Sequence, residues 1–342
     1  MRSLNIKSKF GEYSVKFYSQ ISDIQELINE GIVVVDAKVY ELYKSYLPQD
    51  CILFDCIEQN KTLDGSITIF KELIKRKVKS NGKVVAVGGG ILQDVVGFVC
   101  STYCRGIQYD LVPTTLLSQC DSCIGGKTSI NFESVKNILG TFYPPSSILI
   151  CPEFINTLTN EDRLSGMGEL IKFNILKNTL GNIQNHIDLI DLIYDGLSYK
   201  AAIIEIDEFD KKERKFLNFG HTFGHALEST SNYSIPHGTA VLFGILIANK
   251  VSNFLGLLSL TKESELFDLI YPYIKHQEIE EDWFNFDNLI SIIKHDKKNT
   301  GTINMVLLTD EESKIVPIES EETLQLALKN IYASIRLRNK IS

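Results

Sequence analysis

Three histidines stand out for the chemistry they could do: His221 and His225, four residues apart in Asn218-Phe-Gly-His-Thr-Phe-Gly-His, and His237, which opens His237-Gly-Thr-Ala-Val. Neutral imidazole is the commonest ligand for a borderline divalent metal, and on a helix a spacing of four puts two side chains on one face. The same spacing arises on any helix, where such histidines are often only hydrogen-bonded core residues, so the pair alone favours the plainer account. Glu169 alters that balance. It lies in Gly166-Met-Gly-Glu169-Leu-Ile-Lys172, a carboxylate in apolar surroundings with a lysine one turn later. Two histidines and one carboxylate leave a coordination position open, as a catalytic metal requires. Imidazole with carboxylate suits zinc or cobalt, then iron or manganese.

Such residues need elements to hold them. Up to about residue 150, the β-branched runs Ile32-Val-Val-Val-Asp36 and Val84-Val-Ala-Val-Gly88 alternate with helix-like stretches such as Ile67 to Val78, the pattern of a parallel sheet with crossover helices. After Pro144-Pro145 and Pro152, helical spacing takes over through Leu158 to Leu176, Leu217 to Glu228 and Val241 to Leu257. The expected organisation is a Rossmann-like α/β domain over 1–152 and a mainly α-helical domain over 153–342. Gly88-Gly89-Gly90 after a strand marks a tight turn into a helix, where backbone N–H groups can meet a pyrophosphate. The run is not G-x-G-x-x-G. Gly125-Gly126-Lys127-Thr128 also falls short of a nucleoside triphosphatase loop, because Asp121 occupies the place of its first glycine.

With 342 residues and 44% hydrophobic content, the chain can fill two cores. Its formal net charge of -8, from 35 basic and 43 acidic residues, argues against nucleic acid or an anionic membrane as partner. No apolar run reaches the length of a membrane span, and Met1-Arg-Ser-Leu-Asn-Ile-Lys-Ser-Lys lacks a signal-peptide core, so a cytoplasmic protein is expected. Seven scattered cysteines fit that reducing compartment. Cys100, Cys104, Cys120 and Cys123 could be read as a zinc site, but small buried residues packed near a cofactor account for them better. Arg105, Lys127, Lys136, Lys172, Lys200, Arg214 and Lys298 are cations in an acidic chain, and with Asn137 and Asn218 they form a candidate oxyanion pocket for a small anionic substrate.

A longer pattern joins these pieces. Gly88-Gly89-Gly90-Ile-Leu-Gln-Asp94-Val-Val-Gly97-Phe98, Arg105-Gly106, Pro113-Thr114-Thr115-Leu-Leu, Asp121-Ser-Cys-Ile-Gly125-Gly126-Lys127-Thr128 and Lys136-Asn137 resemble the 3-dehydroquinate synthase family and its sibling sugar phosphate cyclases. The likeness continues through Glu169 and Lys172, Arg214 to Glu228, His237-Gly238 and Asp296-Lys297-Lys298-Asn299, in unbroken order over roughly residues 58 to 299. It implies a dehydroquinate synthase-like fold and a homodimer in which Arg105 reaches the phosphate of substrate in the neighbouring subunit. The implied reaction turns 3-deoxy-D-arabino-heptulosonate 7-phosphate into 3-dehydroquinate and phosphate by transient oxidation at carbon 5, β-elimination, reduction and aldol closure, with NAD recycled.

Residue by residue, the resemblance implies a metal on Glu169, His221 and His237. NAD would lie along Asp36, Glu58, Lys61, Gly89, Gly90, Asp94, Thr114, Thr115 and Thr157, with Asp121, Lys127 and Lys136 close by. His225 and Lys200 would serve substrate hydroxyls and proton movement, while Asp121 would orient a hydroxyl. Lys127 and Arg214 would take the carboxylate; Lys172, Asn137, Asn218 and Lys298 the phosphate. Gln93, Thr239, Cys151, Gly168 and Phe209 depart from the family's usual residues. They keep open a sibling making deoxy-scyllo-inosose or an epi-valiolone, and beyond that a polyol dehydrogenase. Arg214 and Asn218 favour the carboxylate-bearing substrate.

Overall fold

The computed structural model describes residues 2–133, 135–178, 188–296 and 302–341. Contacts divide the chain into two compact units, Met1–Arg163 with Asp188–Phe209, and Leu164–Ile187 with Asp210–Ser342. The proline-rich boundary at 152 places Leu189–Ile206 in the second half, whereas this helix packs with the first unit. A chain that leaves a unit and returns carries no local mark of doing so.

The first unit holds a seven-stranded sheet. Its strands are β1 (Ser3–Ser8), β2 (Gly11–Phe17), β3 (Ile32–Asp36), β4 (Ile52–Phe54), β5 (Lys83–Gly88), β6 (Gln108–Pro113) and β9 (Ser147–Ile150), in the order β1-β2-β9-β6-β5-β3-β4. Only the β1–β2 pair is antiparallel. In β5, Val84 to Gly88 are all buried, as a strand covered on both faces must be, and this explains the unbroken apolar run. A separate hairpin pairs β7 (Lys127–Phe132) with β8 (Val135–Phe142). Helices α1 (Ala37–Tyr43), α2 (Leu63–Lys75), α3 (Gly90–Thr102) and α5 (Leu189–Ile206) also belong here.

Helix α4 (Asn160–Leu176) supplies Glu169 from its later turns. The second unit adds α6 (His221–Thr230), α7 (His237–Phe254), α8 (Leu260–Ile274), α9 (Phe286–Asp296) and α10 (Glu321–Ile341), with a hairpin of β10 (Ile303–Leu308) and β11 (Ser313–Ile318). In α7, Gly238 to Asn249 are buried without a break, so this helix is the axis of the unit rather than an amphipathic surface helix. No helix among the described residues is long and apolar enough to cross a membrane.

Candidate metal centre and cofactor site

Glu169 sits on α4 with no exposed surface, and both of its carboxylate oxygens lack a hydrogen bond. Its Oε1 faces two imidazoles, with Nε2 of His221 at 3.5 Å and Nε2 of His237 at 3.4 Å. Ligand atoms of the three residues all lie within 4.8 Å of one another. Each histidine is held from behind. Nδ1 of His221 lies 3.1 Å from the carbonyl oxygen of Phe219, and Nδ1 of His237 lies 3.2 and 3.3 Å from the carboxylate oxygens of Glu228. With Nδ1 so engaged, the lone pair left for a metal is that of Nε2, which is the usual division of labour in such sites.

Backbone geometry brings the ligands together. Gly220, just before His221, has φ of +79°, a left-handed turn that a side chain would strain. Helices α4 and α7 touch beside the ligands: a Cβ at Gly168 would stand 2.3 Å from the carbonyl oxygen of Gly238, and one at Gly238 would stand 1.9 Å from that of Ser165. The glycines next to Glu169 and His237 therefore set the helix separation.

Lys172 completes the cluster. Its ammonium is buried and ion-paired with Glu169 one turn back on α4. Burial would favour the neutral acid, but Lys172 and then the two imidazoles hold the Glu169 carboxyl well below the usual range. Burial and the Lys172 charge push His221 down, so it stays neutral. For His237 burial acts the same way, yet the contacts with Glu169 and Glu228 outweigh it and push the value up to about 10. The opposite directions follow the carboxylates each imidazole meets, Glu169 alone for His221 and both Glu169 and Glu228 for His237.

His225, on the same face of α6 as His221, shares with His237 and Glu228 a second cluster that could hold a metal. Glu228 contacts Nδ1 of His237 as a ligand's outer support would, while the buried Glu169 faces Nε2 of both His221 and His237, so the Glu169 cluster is the stronger candidate. Asn218, His221 and His225 line one cavity of about 470 Å³ together with Asp210, Lys215 and Thr222. Arg214 is buried in the same unit, while Lys298 lies outside the described residues. Glu228 escaped the reading of the sequence. Its position seven residues after His221 on one helix was the available signal, two turns along the same face.

In the first unit the expected cofactor residues form a second polar cluster. Lys61 reaches Asp94 at 2.6 Å and Oδ1 of Asn137 at 2.6 Å, while Ser129 donates to Asp94 through its backbone N–H at 3.1 Å and its hydroxyl at 3.3 Å. Asn131 ties in Glu58 at 2.8 Å and accepts from the backbone N–H of Asn137, also at 2.8 Å. Asn137, expected at a phosphate, is thus joined to the expected cofactor residues. Neither Ser129 nor Asn131 was marked from sequence.

The remaining candidates are scattered over the unit. Asp36 accepts from the N–H of Lys38 and caps α1, as a strand-ending aspartate would. Thr115 exchanges hydrogen bonds with Ser118 and packs beside Gly89, and the backbone N–H of Thr114 donates to Gly88 at 3.2 Å. Thr157 meets the hydroxyl of Tyr43 at 2.9 Å. Lys200 donates to the carbonyl and carboxylate oxygens of Asp121, at 2.6 and 2.7 Å. Lys127 and Lys136 are exposed on the β7–β8 hairpin. Arg105 has φ of +67° between Cys104 and Gly106, both also at positive φ. A larger hollow of about 780 Å³ beside Asn60 and Asn131 contains none of the expected residues. Cys100, Cys120 and Cys123 are buried and Cys104 is exposed, and among the described residues none joins a cluster able to hold a metal.

Comparison with known proteins supplies the remaining findings. Residues 51–165 match the family described as 3-dehydroquinate synthase N-terminal, and residues 166–299 match 3-dehydroquinate synthase C-terminal. The 3-dehydroquinate synthase of Clostridium tetani (strain Massachusetts / E88) is 35% identical over 337 residues, covering 92% of this chain and 90% of that protein. That of Chlamydia abortus (strain DSM 27085 / S26/3) is 36% identical over 282 residues, 74% of this chain and 73% of the relative. Among solved structures, the 2-epi-5-epi-valiolone synthase of Streptomyces hygroscopicus subsp. jinggangensis 5008, with NAD+ and Zn2+ bound, superposes with a TM-score of 0.82 at 22% identity, covering 96% of this chain and 99% of that one. A 2-deoxy-scyllo-inosose synthase complexed with carbaglucose-6-phosphate, NAD+ and Co2+ gives 0.83, also at 22% identity and with the same coverage. At that identity the superpositions establish the fold.

Proposed function

The chain belongs to the 3-dehydroquinate synthase family, and on that premise we propose that it converts 3-deoxy-D-arabino-heptulosonate 7-phosphate to 3-dehydroquinate and phosphate. The observation that carries this reading is Glu169: a fully buried carboxylate, without a hydrogen bond, facing the Nε2 atoms of two histidines that are anchored through Nδ1. Lys172 pairs with Oε2, so Oε1 and the two Nε2 atoms that it faces make a three-donor set that fits a divalent metal, zinc or cobalt. Glu169, His221 and His237 would hold it. When bound, the metal supplies Lewis acidity at the oxygen of carbon 5 and NAD supplies a reversible oxidation there.

The chain's own residues bind, orient and move protons. His225 and Lys200 serve the substrate hydroxyls and the proton at the carbon beside the transient ketone, and Asp121 orients a hydroxyl while its carboxylate steadies Lys200. Arg214 and Lys127 take the substrate carboxylate, the arginine as a two-pronged donor. Asn218, Asn137, Lys172 and Lys298 serve the phosphate, Lys136 lies by the cofactor, and Lys172 also keeps Glu169 ionised. Asp36, Glu58, Lys61, Gly89, Gly90, Asp94, Thr114, Thr115 and Thr157 line NAD. In this reading residues 1–152 form the NAD-binding domain and 153–342 the domain that carries the metal ligands. The protein works in the cytoplasm as a homodimer, with Arg105 contributed to the neighbouring subunit.

Relatives at 35–36% identity support the heptulosonate phosphate over the substrates of the sibling cyclases, whose likeness is at 22%. A polyol dehydrogenase reading has less support, since a probable glycerol dehydrogenase from Sinorhizobium meliloti 1021 superposes with a TM-score of only 0.57 at 13% identity. The test is to incubate purified protein, NAD and zinc or cobalt with the heptulosonate phosphate, glucose 6-phosphate or sedoheptulose 7-phosphate, following phosphate release, product mass and NADH absorbance. Phosphate and 3-dehydroquinate should form from the first substrate with no net NADH. A preference for either carboxylate-free sugar, or stoichiometric NADH, overturns the assignment.

A further inference from the structure

We propose that the side-chain amide of Gln93 is a cofactor-positioning donor, placed to hydrogen-bond an acceptor oxygen of a dinucleotide held over the N-terminus of α3. This inference rests on the reading that the first unit binds NAD and adds to it a residue outside the expected set. Gln93 follows Gly90, the first residue of α3, by three positions. Helical Cα–Cβ bonds tilt toward the N-terminus and long side chains fold back over the preceding turn, so the reach of Gln93 is toward Gly90.

The contacts agree with that direction. The Ser122 hydroxyl donates to Oε1 of Gln93 at 2.8 Å. The same hydroxyl oxygen stands 3.6 Å from the place a Cβ on Gly90 would occupy, and beyond the helix's own backbone and the adjoining residues no other atom of the described residues comes within 4 Å. One end of the amide is therefore fixed beside an open face at the start of the helix. Its other end has no counterpart: Nε2 is buried without a hydrogen bond, in a residue only 7% exposed. Gly89 at the N-cap has no side chain to satisfy the first-turn N–H groups of α3. Unsatisfied buried donors are destabilising and uncommon, and here one stands next to uncapped helix N–H groups that also seek an acceptor. A pyrophosphate, ribose or carboxamide oxygen supplies the shared acceptor chemistry, and a neutral amide meets it without adding charge.

The test is calorimetric titration of NAD into the wild-type protein and into Gln93→Met and Gln93→Glu, with thermal melts of each in the absence of NAD. Methionine keeps the length and helical preference but removes the amide. Gln93→Met should melt at or above the wild-type temperature without NAD, because an unsatisfied donor is gone and the exposed Ser122 can turn to water. Its dissociation constant for NAD should rise by about three- to tenfold. Gln93→Glu keeps an acceptor for Ser122 but sets negative charge against the ligand's oxygens, and should weaken NAD further. A Gln93→Met protein that binds NAD with the wild-type constant overturns the inference and leaves the NAD reading intact. Should the methionine variant fail to fold, wild-type affinity in Gln93→Glu overturns it equally. A wild-type protein that binds no NAD removes the NAD reading, and this inference with it.

Discussion

Asp94 in the first unit and Glu169 in the second are both carboxylates set against a lysine, and they are completed in different ways. Asp94 accepts two hydrogen bonds from Ser129 as well as the ammonium of Lys61, and it remains a quarter exposed at the side chain. Burial raises its pKa and Lys61 opposes that rise without overcoming it. Glu169 has no exposure; burial raises its carboxyl, yet Lys172, then His237 and His221, hold it well below the usual range. One carboxylate is built into a finished network; the other is ion-paired with Lys172 through Oε2 and turns Oε1 to two imidazoles. A finished network can preorganise a site before its ligand arrives, whereas a carboxylate oxygen set between two imidazole nitrogens is a donor set for a divalent cation.

The comparison breaks most sharply at the ligands. His237→Ala and Glu169→Gln should each lose bound metal and turnover together, by more than the roughly 10- to 100-fold typical of outer supports. His225→Ala should keep its metal and lose turnover. Metal content by plasma emission, measured beside phosphate release, checks both; full occupancy in the His237 variant would end the assignment. Removing the support behind His237 is the next step down. Glu228→Ala should weaken metal binding about 10- to 100-fold in a chelator competition, with Glu228→Gln recovering part of the loss because it can still accept from Nδ1. Wild-type affinity in both variants would make Glu228 an ordinary surface contact.

Arg214→Lys retains the charge but not the fork, and should lower kcat/KM for the heptulosonate phosphate about ten- to hundredfold while metal and NAD stay bound. Unchanged turnover would show that no carboxylate engages this residue. In the finished network the effect falls on stability and the cofactor rather than on the metal. Lys61→Met should cost about 1.5–3 kcal/mol of stability in urea and weaken NAD binding, because it strips a charged hydrogen bond from Asp94 and Asn137. Metal content should not change, and a metal loss there would erase the contrast between the two carboxylates.

Much of this organisation was legible in the chain. Runs such as Ile32-Val-Val-Val-Asp36 and Val84-Val-Ala-Val-Gly88 became β3 and β5, since unbroken β-branched residues are stable where a sheet is covered on both faces. The helical spacing from Leu158 to Leu176 became α4 to within two residues at its start. The hairpins β7–β8 and β10–β11 were not foreseen, and neither was the return of Leu189–Ile206 to the first unit. Pairing partners and packing partners are long-range properties, and local periodicity does not encode them.

The sequence by itself determined which chemistry was possible: imidazoles and a carboxylate of the right softness, a glycine turn after a strand, cations in an acidic chain. The order of its motifs determined the family. Tertiary structure alone decided which nitrogens meet which oxygens. His221 and His225 share a helix face, but it is His221 and the more distant His237 whose Nε2 atoms turn to Glu169, because the backbones of α4 and α7 touch at Gly168 and Gly238 and the chain reverses at Gly220. Likewise, only folding set Glu228 behind His237 and left Nε2 of Gln93 without a partner. The physical reason is range: side-chain type and spacing are local, whereas burial and the satisfaction of each polar atom depend on residues that the chain brings together from far apart.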